Sequence, residues 1–366
     1  MRFREDLYVN GYDMGTSGTV SFNVDYSDVI SQISIQFNAT NGASGNKNNP
    51  IESNITSIEL VDGSDVLWSL PGDVAFAMYN QVTGKQPKQY YTGAISDGGW
   101  VVVPILFGRY LYDPVYGFNP IAFRNPQLKI TFDEATIRAA GATGFVSDSF
   151  TCSVLYSIME DVPAPRGFLT AKDVYDYTTL ASGDTTIDMP TDYPYRLLMS
   201  RVYEAGQWFG TNVSNYKLTC DGGKFVPFDL PTDRWEILHK DRLPMVHRGI
   251  YTVCDDGETH QLWLGIVDEN SIHSHVAGDI ATTSSPANGQ VVIGHKTHAG
   301  AAVNANPVHM IATGWHPHNL LVYPFGRLDV PEEWFDARAY NSVKFVLTNG
   351  NAGAEANVCV QQVRMY

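Results

Sequence analysis

All ten histidines of this 366-residue chain fall between His239 and His318, and they are the first residues that suggest chemistry. His273-Ser274-His275 is followed by Asp279, and His316-Pro317-His318 forms a second His-x-His pair. Neutral imidazoles two apart on a strand share a face, and a carboxylate beside them completes a facial triad for a transition metal. Two features weigh against this reading. Val276-Ala277-Gly278 lacks the fixed spacing and glycine frame of metal-dependent cupins, and Pro317 interrupts any regular strand. The histidines are therefore expected to serve as hydrogen-bonding groups of a polar loop.

Two arginines are the next candidates. Phe107-Gly108-Arg109 and Phe325-Gly326-Arg327 each follow an apolar run and precede an acid, Asp113 or Asp329. An arginine at such a place could hold an anionic ligand. Its appearance twice in one setting favours architecture, with a bidentate bond to the nearby carboxylate locking a loop. The sequence holds no Gly-x-Ser-x-Gly, phosphate loop, dinucleotide fingerprint or Cys-x-x-Cys. No catalytic, cofactor-binding or metal-ligating residue is assigned, and no cofactor is expected.

The elements around the two tripeptides also repeat. Asp62-Gly63 leads to Leu70-Pro71-Gly72-Asp73, and Gly223 leads at the same spacing to Leu230-Pro231-Thr232-Asp233, an offset of 160. Ser17-Gly18 and Asp25-Tyr26 match Ser182-Gly183 and Asp192-Tyr193. Thr151-Cys152-Ser153-Val154 matches Val358-Cys359-Val360-Gln361. Five landmarks in the same order imply a tandem duplication.

Composition narrows the class. Hydrophobic residues make up 44% and charged residues 17%, enough apolar material for two cores. Gly 32, Pro 19 and Tyr 20 with short β-branched runs point to an all-β, turn-rich protein. The formal charge of −15 argues against direct nucleic-acid binding, which needs a basic surface. Cys152 and Cys359 read as buried small hydrophobes, and all four cysteines are expected reduced, as in a protein folded in a cytoplasm. Met1-Arg2-Phe3-Arg4-Glu5-Asp6 is followed by no apolar core, so no signal peptide is expected. No run of eighteen apolar residues exists, so no membrane-spanning helix is expected.

Taken in order, residues 1–16 read as an arm, either frayed or docked on a neighbour. A first domain is expected over 17–160, with strands marked by Val20, Phe22 and Val24 and by Ile33, Ile35 and Phe37. Pro71 and Asp73 open a short helix that Gly84 closes. Asp161 to Gly167 holds two prolines and marks a linker, and a short helix over Thr170–Tyr177 is expected within 161–180. A second domain is expected over 181–366. From Asp73 to Phe107 is 34 positions and from Asp233 to Phe325 is 92, so the second copy carries 58 extra residues. Matching Gly99-Trp100 to Gly314-Trp315 places that insertion near 240–313, projecting outward as a polar decoration.

With these landmarks, the chain resembles the double jelly-roll major capsid proteins of icosahedral viruses with an internal membrane, particularly bacteriophages. The segments that carry the resemblance are Asp62-Gly63 to Asp73 with its helix, the strand into Phe107-Gly108-Arg109 with Asp113, their second-half counterparts, and Phe335-Asp336-Ala337-Arg338 to Tyr366. The resemblance implies two tandem eight-stranded jelly rolls with short helices in the connecting loops. It implies a structural protein, not an enzyme, assembling in the host cytoplasm as pseudo-hexagonal homotrimers into a virion shell over lipid. Its partners would be further copies, other capsid or penton proteins and the internal membrane. Two other readings stay open: a carbohydrate-binding β-sandwich with aromatic sugar platforms, and a metal-dependent bicupin enzyme.

Overall fold

A computed structural model describes residues 2–42, 49–92, 96–135, 144–205, 207–254, 259–263, 273–276, 290–294 and 306–366. The first half runs β1 (Arg2–Gly15), β2 (Ser17–Asn23), β3 (Val29–Thr40), β4 (Ile55–Asp62), β5 (Asp65–Leu70), helix α1 (Gly72–Thr83), β6 (Gln89–Tyr90), β7 (Gly98–Leu106), β8 (Pro126–Asp133) and β9 (Phe150–Glu160). Strict alternation builds these strands. In β3 Ile33, Ile35 and Phe37 are fully buried while Gln32, Ser34 and Gln36 between them are only partly so. Pro71 precedes α1, Asp73 sits in its first turn, and Gly84 in the left-handed region (φ 66°) ends it by donating to the Asn80 carbonyl.

The second half runs β10 (Gly167–Thr178), β11 (Gly183–Met189), β12 (Tyr195–Tyr203), α2 (Phe209–Asn212), β13 (Val213–Cys220), β14 (Phe225–Pro231) and α3 (Thr232–Arg242). It continues with β15 (Val246–Cys254), β16 (Thr259–Trp263), β17 (His273–Val276), β18 (Gln290–Gly294), β19 (Asn306–Gly314), β20 (Leu320–Pro324), β21 (Val343–Asn349) and β22 (Glu355–Met365). The sheets repeat. The first half stacks β1-β9-β3-β7 against β2-β8-β4-β5, and the second stacks β10-β22-β12-β20 against β11-β21-β13-β14. Each half is an eight-stranded jelly roll, so the chain is an all-β double jelly roll with short helices in its connections.

The repeat corrects two expectations. The segment expected as an arm is a strand over residues 2–15: β1 pairs with β9 from Arg2↔Glu160 to Gly15↔Phe150. Its charged residues suit a strand paired on one edge and exposed on the other. Nor is Thr170–Tyr177 a helix. It lies in β10, which pairs with β22 from Gly167↔Met365 onward. Pairing with β22 overrides the helix expected from Thr170 onward, as strand formation by β-branched and aromatic residues commonly does. Each roll therefore begins with a strand that the sequence boundaries left out.

The insertion is also placed differently. Gly99 and Trp100 lie in β7 opposite Ala39 and Asn38, whereas Gly314 ends β19 opposite Val246. The two Gly-Trp pairs are not equivalent, and β20 begins only at Leu320. Between α3 and β20 the backbone forms a three-stranded sheet, β15-β19-β17, and a β16-β18 pair.

The rolls are joined by shared structure. β5 of the first pairs in parallel with β10 of the second at Ser69↔Lys172, making one continuous sheet across the junction. Phe168, Ala171, Leu197, Met199, Leu320, Val322 and Cys359 of the second roll belong to the apolar cluster of the first. β12 is consequently buried on both faces over Tyr195–Val202, one face toward its own sandwich and one toward the first roll.

Candidate functional site

The first Phe-Gly-Arg loop folds as a closed clamp. Arg109 Nε donates to Asp113 Oδ2 at 2.7 Å and Nη2 donates to Oδ1 at 2.9 Å, the bidentate arrangement expected. The Arg109 and Val115 backbone N–H groups also donate to this carboxylate, which is fully buried. Burial alone would raise the Asp113 carboxyl, but Arg109 and the two N–H donors outweigh it and hold it below the ordinary value. Arg109 also lies over the Tyr110 and Tyr116 rings, 5.5 and 5.3 Å from their centres. Its Nη1 reaches the second roll, donating to the Asp329 carbonyl at 3.1 Å.

The second loop uses the same arginine with a different acid. Arg327 Nε donates to Glu333 Oε1 at 2.9 Å, and its backbone N–H donates to Oε2 at 2.9 Å. Glu333, not Asp329, is therefore its partner, because the turn at Pro331–Glu333 brings the longer acid back over the loop. This arginine side chain is 70% exposed, against 16% for Arg109. The glycine has one reason in both loops. A Cβ on Gly108 would lie 2.6 Å from Asp113 Cβ, and one on Gly326 would lie 2.5 Å from Glu333 Cβ. The acid can seat on the arginine only where the intervening residue has no side chain.

Between the rolls lies a polar seam that motif reading missed. Asp73 at the start of α1 pairs with Arg201 of β12 at 2.9 Å, with both side chains at most 2% exposed. Arg196, five residues earlier in β12 and also buried, donates to the Leu328 carbonyl at 2.9 Å and to Gln361 Oε1 at 2.7 Å. Burial, and then the charge of Arg109, lower Arg196 to about 10, so it stays protonated at neutral pH. Gln81 of α1 donates to the carbonyls of Trp315 and Leu320 at 2.6 and 2.9 Å. A signal was present: two arginines interrupt Tyr195-Arg-Leu-Leu-Met-Ser-Arg-Val-Tyr203, an otherwise apolar strand. Buried charges are kept only when paired.

His318 joins this seam. Its Nε2 lies 3.0 Å from Glu52 Oε1 of the first roll, and its ring meets the Phe76 edge. The His316 ring lies tilted against His239, ring centres 4.3 Å apart, and His239 Nδ1 accepts from the Val322 N–H. Burial lowers His239 to about 3, so it remains neutral. The three described histidines that flank the insertion are thus buried structural groups, whereas His247 within it is exposed. The side chains of His273 and His275, and Asp279 entirely, lie outside the described residues. Among the described residues no three His, Cys, Asp or Glu side chains are placed to hold a metal ion. Cys152, Cys220 and Cys359 are buried free thiols.

On β10, Asp173 faces Cys359, its Oδ1 lying 3.5 Å from Sγ. Burial, reinforced by Asp176 nearby, pushes the Asp173 carboxyl up to about 8.

On the free side of the second roll is an open groove of about 530 Å3, lined in part by Phe225, Tyr323, Phe325, Phe335, Arg242 and Arg327. Phe225, Tyr340, Phe335 and Phe325 stack in series along it.

The chain matches no protein-family model and no curated protein sequence. Solved structures do resemble it over almost its full length. The STIV MCP aligns with a TM-score of 0.60 at 11% identity, covering 99% of this chain and 97% of that one. The PBCV-1 virus capsid aligns at 0.59 with 11% identity, covering 99% and 93%. The major capsid protein P2 of bacteriophage PM2 aligns at 0.55 with 10% identity, covering 99% and 98%. At such identities the likeness establishes the fold.

Proposed function

We propose that this chain is the major capsid protein of an icosahedral virus with an internal membrane, and that it has no enzymatic role. The observation that carries this reading is the repeat of sheet order: β1-β9-β3-β7 over β2-β8-β4-β5, then β10-β22-β12-β20 over β11-β21-β13-β14. Two like units in one chain let three chains imitate six-fold packing, which a pseudo-hexagonal homotrimer exploits. The neighbours in structure that carry names are capsid proteins, one from a bacteriophage. A charge of −15 suits a shell that meets no genome directly, with lipid between the two. Assembly in the host cytoplasm fits the free thiols. Residues near 240–313 sit on the outer surface in this proposal, since so polar a segment cannot enter a core. Other capsid and penton proteins complete the shell.

Sedimentation of the purified protein, with electron microscopy of the same sample, tests the assignment. Trimers with a pseudo-hexagonal outline are expected, and a monomer across the micromolar range would sink it. Proteolysis of intact particles tests the orientation, and cleavage within 240–313 before any other segment is expected.

A further inference from the structure

The seam between the rolls holds a buried cation that no carboxylate answers. Arg201 has Asp73, and Arg109 has Asp113 on Nε and Nη2. Arg196 is 2% exposed and makes no ion pair among the described residues. Its Nε donates to the Leu328 carbonyl and Nη1 to Gln361 Oε1, both uncharged acceptors. The Trp334 ring, 5.9 Å from the guanidinium carbon, attracts the cation but carries no net charge. Arg109 adds a second positive charge nearby, while Asp113 is already engaged by Arg109 and Asp329 is exposed to solvent. A buried charge is kept where an opposite one lies close, and here the protein supplies none.

A cavity of about 10 Å3 lies against this arginine, room for one small ion or a single water. The first roll contributes Met78, Thr83 and Gly108 to its wall, and the second contributes Arg196 and Gln361. Donors dominate this lining. Arg196 Nη2 has no hydrogen-bond partner among the described residues. Because Gln361 Oε1 accepts from Arg196, the Gln361 Nε2 is turned toward Met78 Sδ, a weak acceptor at 3.8 Å. The Gly108 N–H also makes no hydrogen bond among the described residues. The side-chain acceptors on the wall are engaged, Gln361 Oε1 by Arg196 and Thr83 Oγ1 by the Lys85 N–H at 3.2 Å. A buried water needs acceptors as well as donors, whereas an anion needs donors alone.

We infer that this cavity is a binding site for one monatomic anion of the chloride class, held by Arg196 Nη2 and Gln361 Nε2 at the joint between the rolls. Its volume admits a halide and excludes sulfate, phosphate and carboxylates. The ion supplies the missing negative charge and touches both rolls at once, so its binding stabilises the folded chain by mass action. The site is independent of the capsid reading.

Urea melts of the whole chain at constant ionic strength, with chloride replacing gluconate, test for the ion. A saturable gain is expected: at a chloride concentration about one hundred times the dissociation constant, the folded-to-unfolded ratio rises about a hundredfold. Bromide should reproduce the gain, and Arg196→Met should abolish it. Bromide-soaked crystals of the unmodified chain give a second measurement that needs no variant, and it decides the case if Arg196→Met does not fold. An anomalous peak between Arg196 and Gln361 is expected. Native melts that ignore chloride, a chloride gain that persists in Arg196→Met, or a cavity without a bromide peak each overturn the inference. A bromide peak without any chloride dependence of the melts marks an ion bound at crystal concentration only, and overturns it too.

Discussion

The first Phe-Gly-Arg loop and the second are the same tripeptide at the same strand end, and they meet opposite surroundings. Arg109 holds a fully buried carboxylate and reaches across to Asp329, whereas Arg327 holds Glu333 in the open. The same contrast runs through the helices. Asp73 of α1 is buried against Arg201, while its counterpart Asp233 is 52% exposed and 3.7 Å from Arg234. Local sequence sets each loop's own lock, and the neighbouring roll decides how much that lock is worth. In the first roll the side that carries the helix and this loop faces the seam, and in the second roll the equivalent side faces outward.

The contrast can be broken by paired substitutions. The largest effect is expected at the seam. Asp73→Ala leaves the buried Arg201 only the more distant, half-exposed Glu355 at 3.4 Å and should cost about 3 kcal/mol, whereas Asp233→Ala should stay within about 0.5 kcal/mol; urea melts of the two variants measure the difference. Next come the loops. Arg109→Ala removes the partner of a buried carboxylate and should cost about 2 to 3 kcal/mol. Arg327→Ala should barely move the melting temperature of the isolated chain. Equal losses from the two arginine variants would refute the contrast.

Acid sharpens it further. The Asp113 carboxyl is held below its ordinary value, so its stabilisation is present above the unfolded pKa of about 3.9 and disappears as pH falls through the folded value. The stability gap between the native chain and Asp113→Asn should therefore narrow in melts below about pH 4. The last effect has the opposite sign. Asp173 titrates near 8 when folded, so the stability its neutral form supports is full below about 3.9 and is lost as pH rises toward 8. Asp173→Asn should then stabilise the chain at pH 8 and have little effect at pH 4. The residue facing Cys152 on β1 as Asp173 faces Cys359 is Tyr12, so the first roll has no matching carboxyl at that place.

Much of this was legible in the chain. The tandem duplication follows from five ordered landmarks, the double jelly roll from the resemblance those landmarks carry, and the turn after Asp62-Gly63, the start of α1 and the Arg109–Asp113 clamp from local rules of spacing and chemistry. What escaped reading depends on distant partners. β1 looks too charged for a strand, and only β9, some 150 residues away, makes it one. Glu333 could not be chosen over Asp329 without knowing the turn between them. The seam is written in two arginines whose partners come from another roll, and no local pattern pairs them with Asp73 or Gln361.

The pairing of β1 with β9 also sets a clock on synthesis. The strand leaves the ribosome early, but its only described strand partner ends at Glu160. At roughly 5–20 residues per second, that partner follows roughly 8 to 30 seconds later. Throughout this interval Phe3, Leu7, Tyr8 and Tyr12 have no β9 beside them. Many nascent chains crowded on one message would therefore bring bare β1 strands together before any β9 exists. Such premature strand pairing is the failure this fold has to avoid, and a chaperone holding the first few dozen residues would raise the yield of folded chain more than one acting on the finished protein.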